Sequence, residues 1–395
     1  GCGGELACGD CKDGDACGAG GQPNACAPIP PTGNVRWSQA VSTPGMDVAV
    51  GAGQDDRGNR YLLTFTPNEV GPTHTLRFQR LDAAGTVAAT KEWAAAGFPY
   101  WGRGYLMSVT PDGSAYVAVS ADCGSSPDCT RSIDLGGGAA KDSVLVRLSS
   151  DGAVQWQREL TGSDVVALAA NAQGSVAVSR WSRADGTWAV DGYGGDGKLL
   201  RTLSAYAPAI ELDPAGDLVA AGWGTVRKYA PDGSFFWEKA LSGGGFPRGI
   251  ATTAKGTIVV LEDRTGDVEF GPSTVRSGAF ALYVLEADAR PRFARGLPWS
   301  GTPWLAVDPT GRAAVVGSGQ CGEIVVEEMD LSNADLWRRF LPDGARCWAG
   351  MSPGPPSYGA DHRLFLTGTF ALEIAVGGKA WMPRGQDAIG VLLDP

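Results

Sequence analysis

Residues 209–241 read AIELDPAGDLVAAGWGTVRKYAPDGSFFWEKAL. Short runs rich in apolar and β-branched residues alternate here with DPAG, GWG and PDG, each a tight-turn signal. Runs of that length form strands, and turns that tight make each strand antiparallel to the one before it. The stretch therefore encodes one four-stranded antiparallel sheet.

The first half of this unit, a strand, a tight turn and a second strand, recurs along the chain. GYLMSVTPDGSAYVAVS (104–120), VVALAANAQGSVAVSRW (165–181), GIATTAKGTIVVLE (249–262) and WLAVDPTGRAAVVGS (304–318) are close copies of AIELDPAGDLVAAGWG. DVAVGAGQDDRGNRYLLTF (47–65) and PSYGADHRLFLTGTF (356–370) are looser ones. The second half recurs as LRFQRLDAAGTVAATKEW, VLVRLSSDGAVQWQREL, WAVDGYGGDGKLLRTL, LYVLEADARPRFARGL and ADLWRRFLPDGARCWAG. Trp156, Trp237, Trp348 and Trp37 each stand four residues after a turn glycine, a fixed offset that suits a ring packed between adjacent sheets.

Seven four-stranded units in series imply an all-β, seven-bladed propeller. The ends agree with a closed ring. The last unit stops at AIGVLLDP without a fourth strand, while TGNVRWSQAV opens the repeats as a fourth strand without a unit. Joined, LLDP and TGNVRW restore the pattern of LSSDGAVQW, so the first strand is expected to complete the last blade and remove a free edge. The expected division is a Cys-rich segment over 1–33 and a propeller over 34–395.

Composition agrees with this architecture. With 58 Gly and 25 Pro, about one residue in five breaks helices, which excludes a helical bundle. The formal net charge of −10 gives no basic field for nucleic acid or an anionic membrane surface. Any membrane association is expected through a lipid, because no apolar run is long enough to span a bilayer.

The blades resemble bacterial propeller repeats of the NHL type and the seven-bladed repeats with DP-x-G-N-x-Y-V-T-G followed by D-x-F-V-x-K-L-D-x-x-G-x-x-x-W. They are also similar to quinoprotein dehydrogenase repeats carrying D-x-x-T-G-x-x-x-W. The resemblance covers residues 34–395 and implies the fold; propellers host enzymes, receptors and scaffolds alike.

Five of the nine cysteines, Cys2, Cys8, Cys11, Cys17 and Cys26, lie in the first 26 residues, among almost no large apolar side chains. Such a segment is held by disulfides or by a metal rather than by a core. Disulfides among Cys8, Cys11, Cys17 and Cys26 are favoured over a four-thiolate zinc site, because the C-x5-C and C-x8-C intervals do not repeat a C-x2-C knuckle. Their connectivity is open among three pairings. Cys123 with Cys129, which bracket GSSPD, and Cys321 with Cys347 are the remaining expected pairs. Gly1-Cys2 resembles the end of a bacterial lipobox, which implies acylation of Cys2 and an outer-membrane lipoprotein; an ordinary thiol is the alternative. CKDGDACGAGGQPNACA resembles Cys-rich modules of secreted and surface proteins from myxobacteria. The expected location is extracytoplasmic.

In a propeller, the loops entering each first strand share a face with those joining second and third strands. The latter are the long ones here, at about 120–142, 262–278 and 318–332, and length variation on one face marks the binding side of a repeat protein. The entering segments bring Trp101, Arg103, Tyr206, Phe246, Arg248, Trp304 and Tyr358 toward that rim, with Tyr100 and Trp299 beside them and Asp47 and Asp164 as acids. Aromatic and Arg side chains together are what protein and glycan surfaces use.

Material for catalysis is sparse. The two histidines, His74 and His362, read as ordinary exposed or turn residues, and no G-x-S-x-G, H-E-x-x-H or phosphate loop occurs. Glu327 and Glu328, like Asp55 and Asp56, read as solvated charges. No catalytic residue, metal ligand or cofactor is assigned, and a calcium ion in the central channel is left open. The expected function is non-enzymatic binding of a protein or polysaccharide through the loop-rich face. The alternative is a propeller enzyme of quinoprotein or lyase type with its site at the channel mouth.

Overall fold

In the computed structural model, which describes residues 15–17, 26–28, 33–41, 46–67, 73–96, 105–120, 132–264, 266–276, 278–297, 300–319, 323–341, 351–383 and 386–394, the DPAG turn shows how the repeat is made. Asp213 is buried at the end of its strand, and its Oδ1 accepts the N–H groups of Ala215 and Asp217, both at 2.9 Å. Gly216 closes the turn at φ 86°, a conformation that disfavours a Cβ. The same device recurs with Asp55, Asn171, Thr253 and Asp308. A short oxygen-bearing side chain is what each turn needs, since it satisfies backbone donors that burial would otherwise leave bare.

These turns organise seven four-stranded antiparallel sheets. From the inside outward, blade 1 is Val48–Gln54, Arg60–Pro67, Thr73–Leu81 and Val87–Ala96, with Ser132–Ile133 added at its outer edge. Blade 2 is Tyr105–Val109, Ala115–Val119, Ser143–Leu148 and Val154–Leu160. Blade 3 is Ser163–Ala170, Val176–Ser182, Trp188–Tyr193 and Leu199–Leu203, and blade 4 is Ala209–Leu212, Leu218–Gly222, Thr225–Tyr229 and Phe235–Ala240. Blade 5 is Pro247–Thr252, Ile258–Asp263, Phe280–Leu285 and Pro291–Leu297. Blade 6 is Ser300–Val307, Arg312–Ser318, Ile324–Asp330 and Asp335–Leu341.

Blade 7 takes strands from both ends of the repeat region. Its innermost position is split into Met351–Pro353 and Ser357–Tyr358, both on Leu364–Phe370. Pro355 and Pro356 interrupt it, as expected for residues with no N–H to give the ladder. Asp387–Leu393 follows, and Val35–Val41 pairs with it from Val35↔Leu393 to Val41↔Ala388. The expected closure is present.

Seven hydrophobic clusters hold the ring, one at each interface between neighbouring blades. Strand alternation feeds two of them at once: Ala115, Val117 and Val119 face blade 1, whereas Tyr116 and Ala118 face blade 3. At the outer edge, Trp156 of blade 2 lies on the turn of Gly197 in blade 3 and donates its Nε1–H to Gly195 O at 2.8 Å. A Cβ on Gly197 would sit 2.7 Å from the indole. Trp37 of blade 7 covers Gly85 of blade 1 in the same way.

Blade 6 differs from the sequence reading. In the segment ADLWRRFLPDGARCWAG, Asp335–Leu341 is the outer strand itself, paired with Ile324–Asp330, and the turn before it runs through Asn333 at φ 77°; PDG and the residues after it lie outside the described residues. Asn is the residue after Gly that most readily accepts this conformation. The repeated Trp of this blade is accordingly Trp337, four residues after Asn333, and its indole covers Gly33 of blade 7. Trp348 lies outside the described residues. The connection expected over 318–332 ends by residue 323, where Ile324–Asp330 begins.

The two glutamates of that strand are not solvated. They face opposite sides, but Glu327 is 1% and Glu328 0% exposed; Glu327 holds Arg295 and Arg338, and Glu328 holds Arg312. Asp55 is also buried, while Asp56 is exposed. His362 sits in the blade 7 turn at φ 58°, with Nδ1 2.7 Å from Asp308 Oδ2 of blade 6. Among the cysteines only Cys17 and Cys26 are described, directly opposite each other on two paired three-residue strands.

Two substitutions test this account. Trp156→Ala is expected to cost about 2–4 kcal/mol, below or within the range for deleting a buried aromatic because the ring is only part-buried. Asp213→Ala is expected to cost about 2 kcal/mol, and Asp213→Asn, which keeps the two turn hydrogen bonds but loses the ion pair with Lys228, about half of that. Denaturant midpoints at constant slope read both differences.

Candidate functional site

The inner strands of all seven blades leave a central channel. Where the chain enters these strands, backbone bulges at Val50, Val166 and Arg248 break the ladder and turn those residues. Residues 301–303 do the same in blade 6.

The entry mouth forms a cavity of about 240 Å³ lined by Leu106, Leu168, Pro208, Phe246, Arg248 and Trp304 among others. Asp263 fixes Arg248 by two hydrogen bonds, Nε to Oδ1 at 2.7 Å and Nη2 to Oδ2 at 2.6 Å. The guanidinium lies 5.1 Å from the centre of the Phe246 ring, and Asp263 N–H donates to Phe246 O at 2.9 Å, so loop, ring and ion pair brace one another. Trp304 is part-buried and donates its Nε1–H to Pro353 O at 3.1 Å, across the blade 6–7 interface.

Of the rim residues expected from sequence, the structure thus brings Phe246, Arg248 and Trp304 together. Tyr206 lies apart from that cavity, packed edge-on against Trp188 with centroids 4.6 Å apart. Tyr358 lines the lower channel instead, its hydroxyl beside Glu328, and burial raises its pKa well above that of a free phenol. Trp101 and Arg103 lie outside the described residues, as do Tyr100 and Trp299. Asp47 is fully buried and receives the Thr66 hydroxyl; Asp164 faces Arg183 at 3.7 Å.

Below the mouth, a second cavity of about 330 Å³ is walled by the inner strands of every blade. Glu211 of blade 4 lines both cavities. It is only partly exposed, and its Oε1 accepts the N–H of Leu212 at 3.2 Å. Burial, with a smaller contribution from Asp213, pushes its pKa up to about 8. Sequence reading passed over this residue, although the repeat carries the signal. Two positions before each turn residue the other blades have Gly53, Ser108, Ala169, Ala251, Ala306 and Ser357, all small; blade 4 alone has a carboxylate there.

Glu262, buried behind the mouth beside the hydroxyl of Tyr283, is likewise raised to about 7 by burial. Neither histidine lines the mouth; His74 packs against Phe65, and its pKa is lowered by burial. Among the described residues no three His, Cys, Asp or Glu side chains come together as a metal site. A larger hollow of about 510 Å³ lies at the outer edge between blades 7 and 1, lined by Arg36, Trp37 and Lys379, away from all of these groups.

No family profile matches the chain, and no curated protein matches it either. Solved structures do match. A catalytically inactive His-to-Ala variant of virginiamycin B lyase from Staphylococcus aureus, solved with quinupristin, superposes with a TM-score of 0.54 at 11% identity, over 90% of this chain and 99% of the other. The WD40 domain of Pan2 from Neurospora crassa gives 0.52 at 12%, over 91% and 97%. The WD40 domain of coronin from Toxoplasma gondii gives 0.53 at 10%, over 93% and 88%. At these identities the likeness is one of fold: the chain is a seven-bladed β-propeller with both enzyme and WD40 neighbours.

The raised carboxyl makes stability depend on pH with a definite sign. Between the ordinary 4.5 of an unfolded Glu and about 8, the folded chain keeps a proton that the unfolded chain has released, so stability falls as pH rises through that window. Glu262 and Glu328 act in the same sense, and His74 opposes them below its ordinary 6.5. Subtracting the melting profile of Glu211→Gln from that of the native chain isolates Glu211. The variant is expected to gain relative stability progressively from about pH 5 to pH 8, and a pH-independent difference contradicts the assignment.

Proposed function

We propose that this protein is an extracytoplasmic, non-enzymatic binding module that holds a protein or polysaccharide partner at the entry mouth of its channel. The observation that carries this reading is the convergence of Phe246, Arg248 and Trp304 on one cavity. Two aromatic rings and an Arg pre-oriented by Asp263 offer contact area at little entropic cost, because their rotamers are already fixed before a partner arrives. The long connections on the same face supply a surface around it. The five cysteines of the first 26 residues support an oxidising compartment, and acylation of Cys2 would tether the propeller at a membrane.

Lyase or quinoprotein chemistry is the weaker reading. The lyase neighbour is inactivated by loss of a histidine, whereas His74 and His362 of this chain stand away from the mouth. Arg248, the cation at the mouth, is neutralised by Asp263.

Trp304→Ala combined with Phe246→Ala is expected to lower recovery of the partner from envelope extracts at least tenfold, with the unfolding midpoint still well above assay temperature. Undiminished recovery by the double variant contradicts binding at the mouth.

A further inference from the structure

Glu211 combines three features that seldom coincide. It projects where every other blade keeps a small residue, it borders both the mouth cavity and the lower channel, and its hydrogen-bond partner is the N–H of the next residue on its own strand. On its mouth side the walls are mainly apolar: Leu168 of blade 3, Pro208 at the entry to blade 4 and Ile250 of blade 5 line the cavity with it, whereas the lower channel presents polar groups such as Ser108, Thr252 and Ser357. A carboxylate in such walls is costly unless a cation accompanies it.

The fixed cations nearby, among the described residues, are already committed. Lys228 Nζ is 2.8 Å from Asp213 and 3.0 Å from Asp217. Arg248 at the mouth is doubly bonded to Asp263, and Arg312, beyond Tyr358, serves Glu328. Among the described residues, the titratable groups facing the channel around Glu211 are therefore Asp213 on its own strand, the Arg248–Asp263 pair above and Tyr358 below, and none of these supplies a free positive charge.

We propose that the channel mouth is a receptor for an alkylammonium group on an unbranched apolar stem, such as a lysine side chain presented by a partner, with the stem against Leu168, Pro208 and Ile250 and the ammonium on Glu211. The inference rests on the mouth being the binding face and assigns what enters it. A methylene stem matches the apolar walls, and the ammonium meets the carboxylate in a site largely screened from water, where an ion pair gains most from good geometry. Binding expels a proton: the empty site holds neutral Glu211 below about pH 8, the occupied site the carboxylate.

Calorimetry with n-pentylammonium chloride, 1-pentanol and the peptide Gly-Gly-Lys-Gly-Gly, free or acetylated at its lysine, tests this on the intact chain. The native protein is expected to bind n-pentylammonium at least tenfold more tightly than 1-pentanol, and affinity is expected to rise from pH 6 to pH 8 with proton release. Glu211→Gln, which keeps the side-chain shape, removes both the preference and the pH slope. The unacetylated peptide binding in the same Glu211-dependent way indicates a lysine presented by a partner; binding of the free amine alone indicates a small amine ligand. Equal affinity in native and Glu211→Gln protein, a flat pH profile, or no binding of either ammonium overturns the proposal. Loss of partner recovery in the Phe246 and Trp304 double variant is read independently, so a failed amine site leaves the mouth reading standing.

Discussion

Backbone pairing between Val35–Val41 and Asp387–Leu393 turns a row of sheets into a ring, and the rest of the molecule follows from that constraint. Unjoined, blade 7 would have three strands and an open edge, and the hydrophobic faces of blades 1 and 7 would lack each other. Once joined, every blade has two neighbours, each interface owns a cluster, and the inner strands must leave a channel. The mouth and Glu211 exist because the ring is closed.

Within that constraint, the chain repeats two small devices. A buried oxygen-bearing side chain satisfies the first turn of most blades, and an indole laid over a positive-φ turn locks several blades to the next. Both are local, so a blade can vary its loops without disturbing its neighbours. The irregularities are informative for the same reason. His362 occupies a left-handed turn position where the other blades have glycine, and its ring reaches Asp308 of blade 6, so a contact across the interface accompanies the awkward conformation.

The fold was legible because turn chemistry is local and recurs: DPAG, PDG and SDG mark strand ends whatever lies between them. Blade 6 was misread where that code is degenerate. Asn333 does a glycine's work without looking like one, and the PDG signal at 342–344 comes after the outer strand rather than before it. Burial was harder to read. Glu327 and Glu328 look solvated in a list of charges, because nothing local announces that Arg295, Arg338 and Arg312 arrive from other strands to meet them. The rim was read in part: Phe246, Arg248 and Trp304 meet, whereas Tyr206 and Tyr358 come from equivalent connections and end elsewhere. Which way such a side chain turns depends on bulges that composition does not reveal. Glu211 needed the repeats stacked by their turn residues, after which one carboxylate among glycine, alanine and serine is conspicuous.

Recognition is proposed at the end of the channel where the chain enters its inner strands. Amide hydrogen exchange of the protein with and without its captured partner tests this most directly. Slowed exchange is predicted at residues 241–252 and 300–307, around Phe246, Arg248 and Trp304, with the outer strands unchanged. Protection confined to outer strands such as Phe235–Ala240, with the inner segments unaltered, would contradict it.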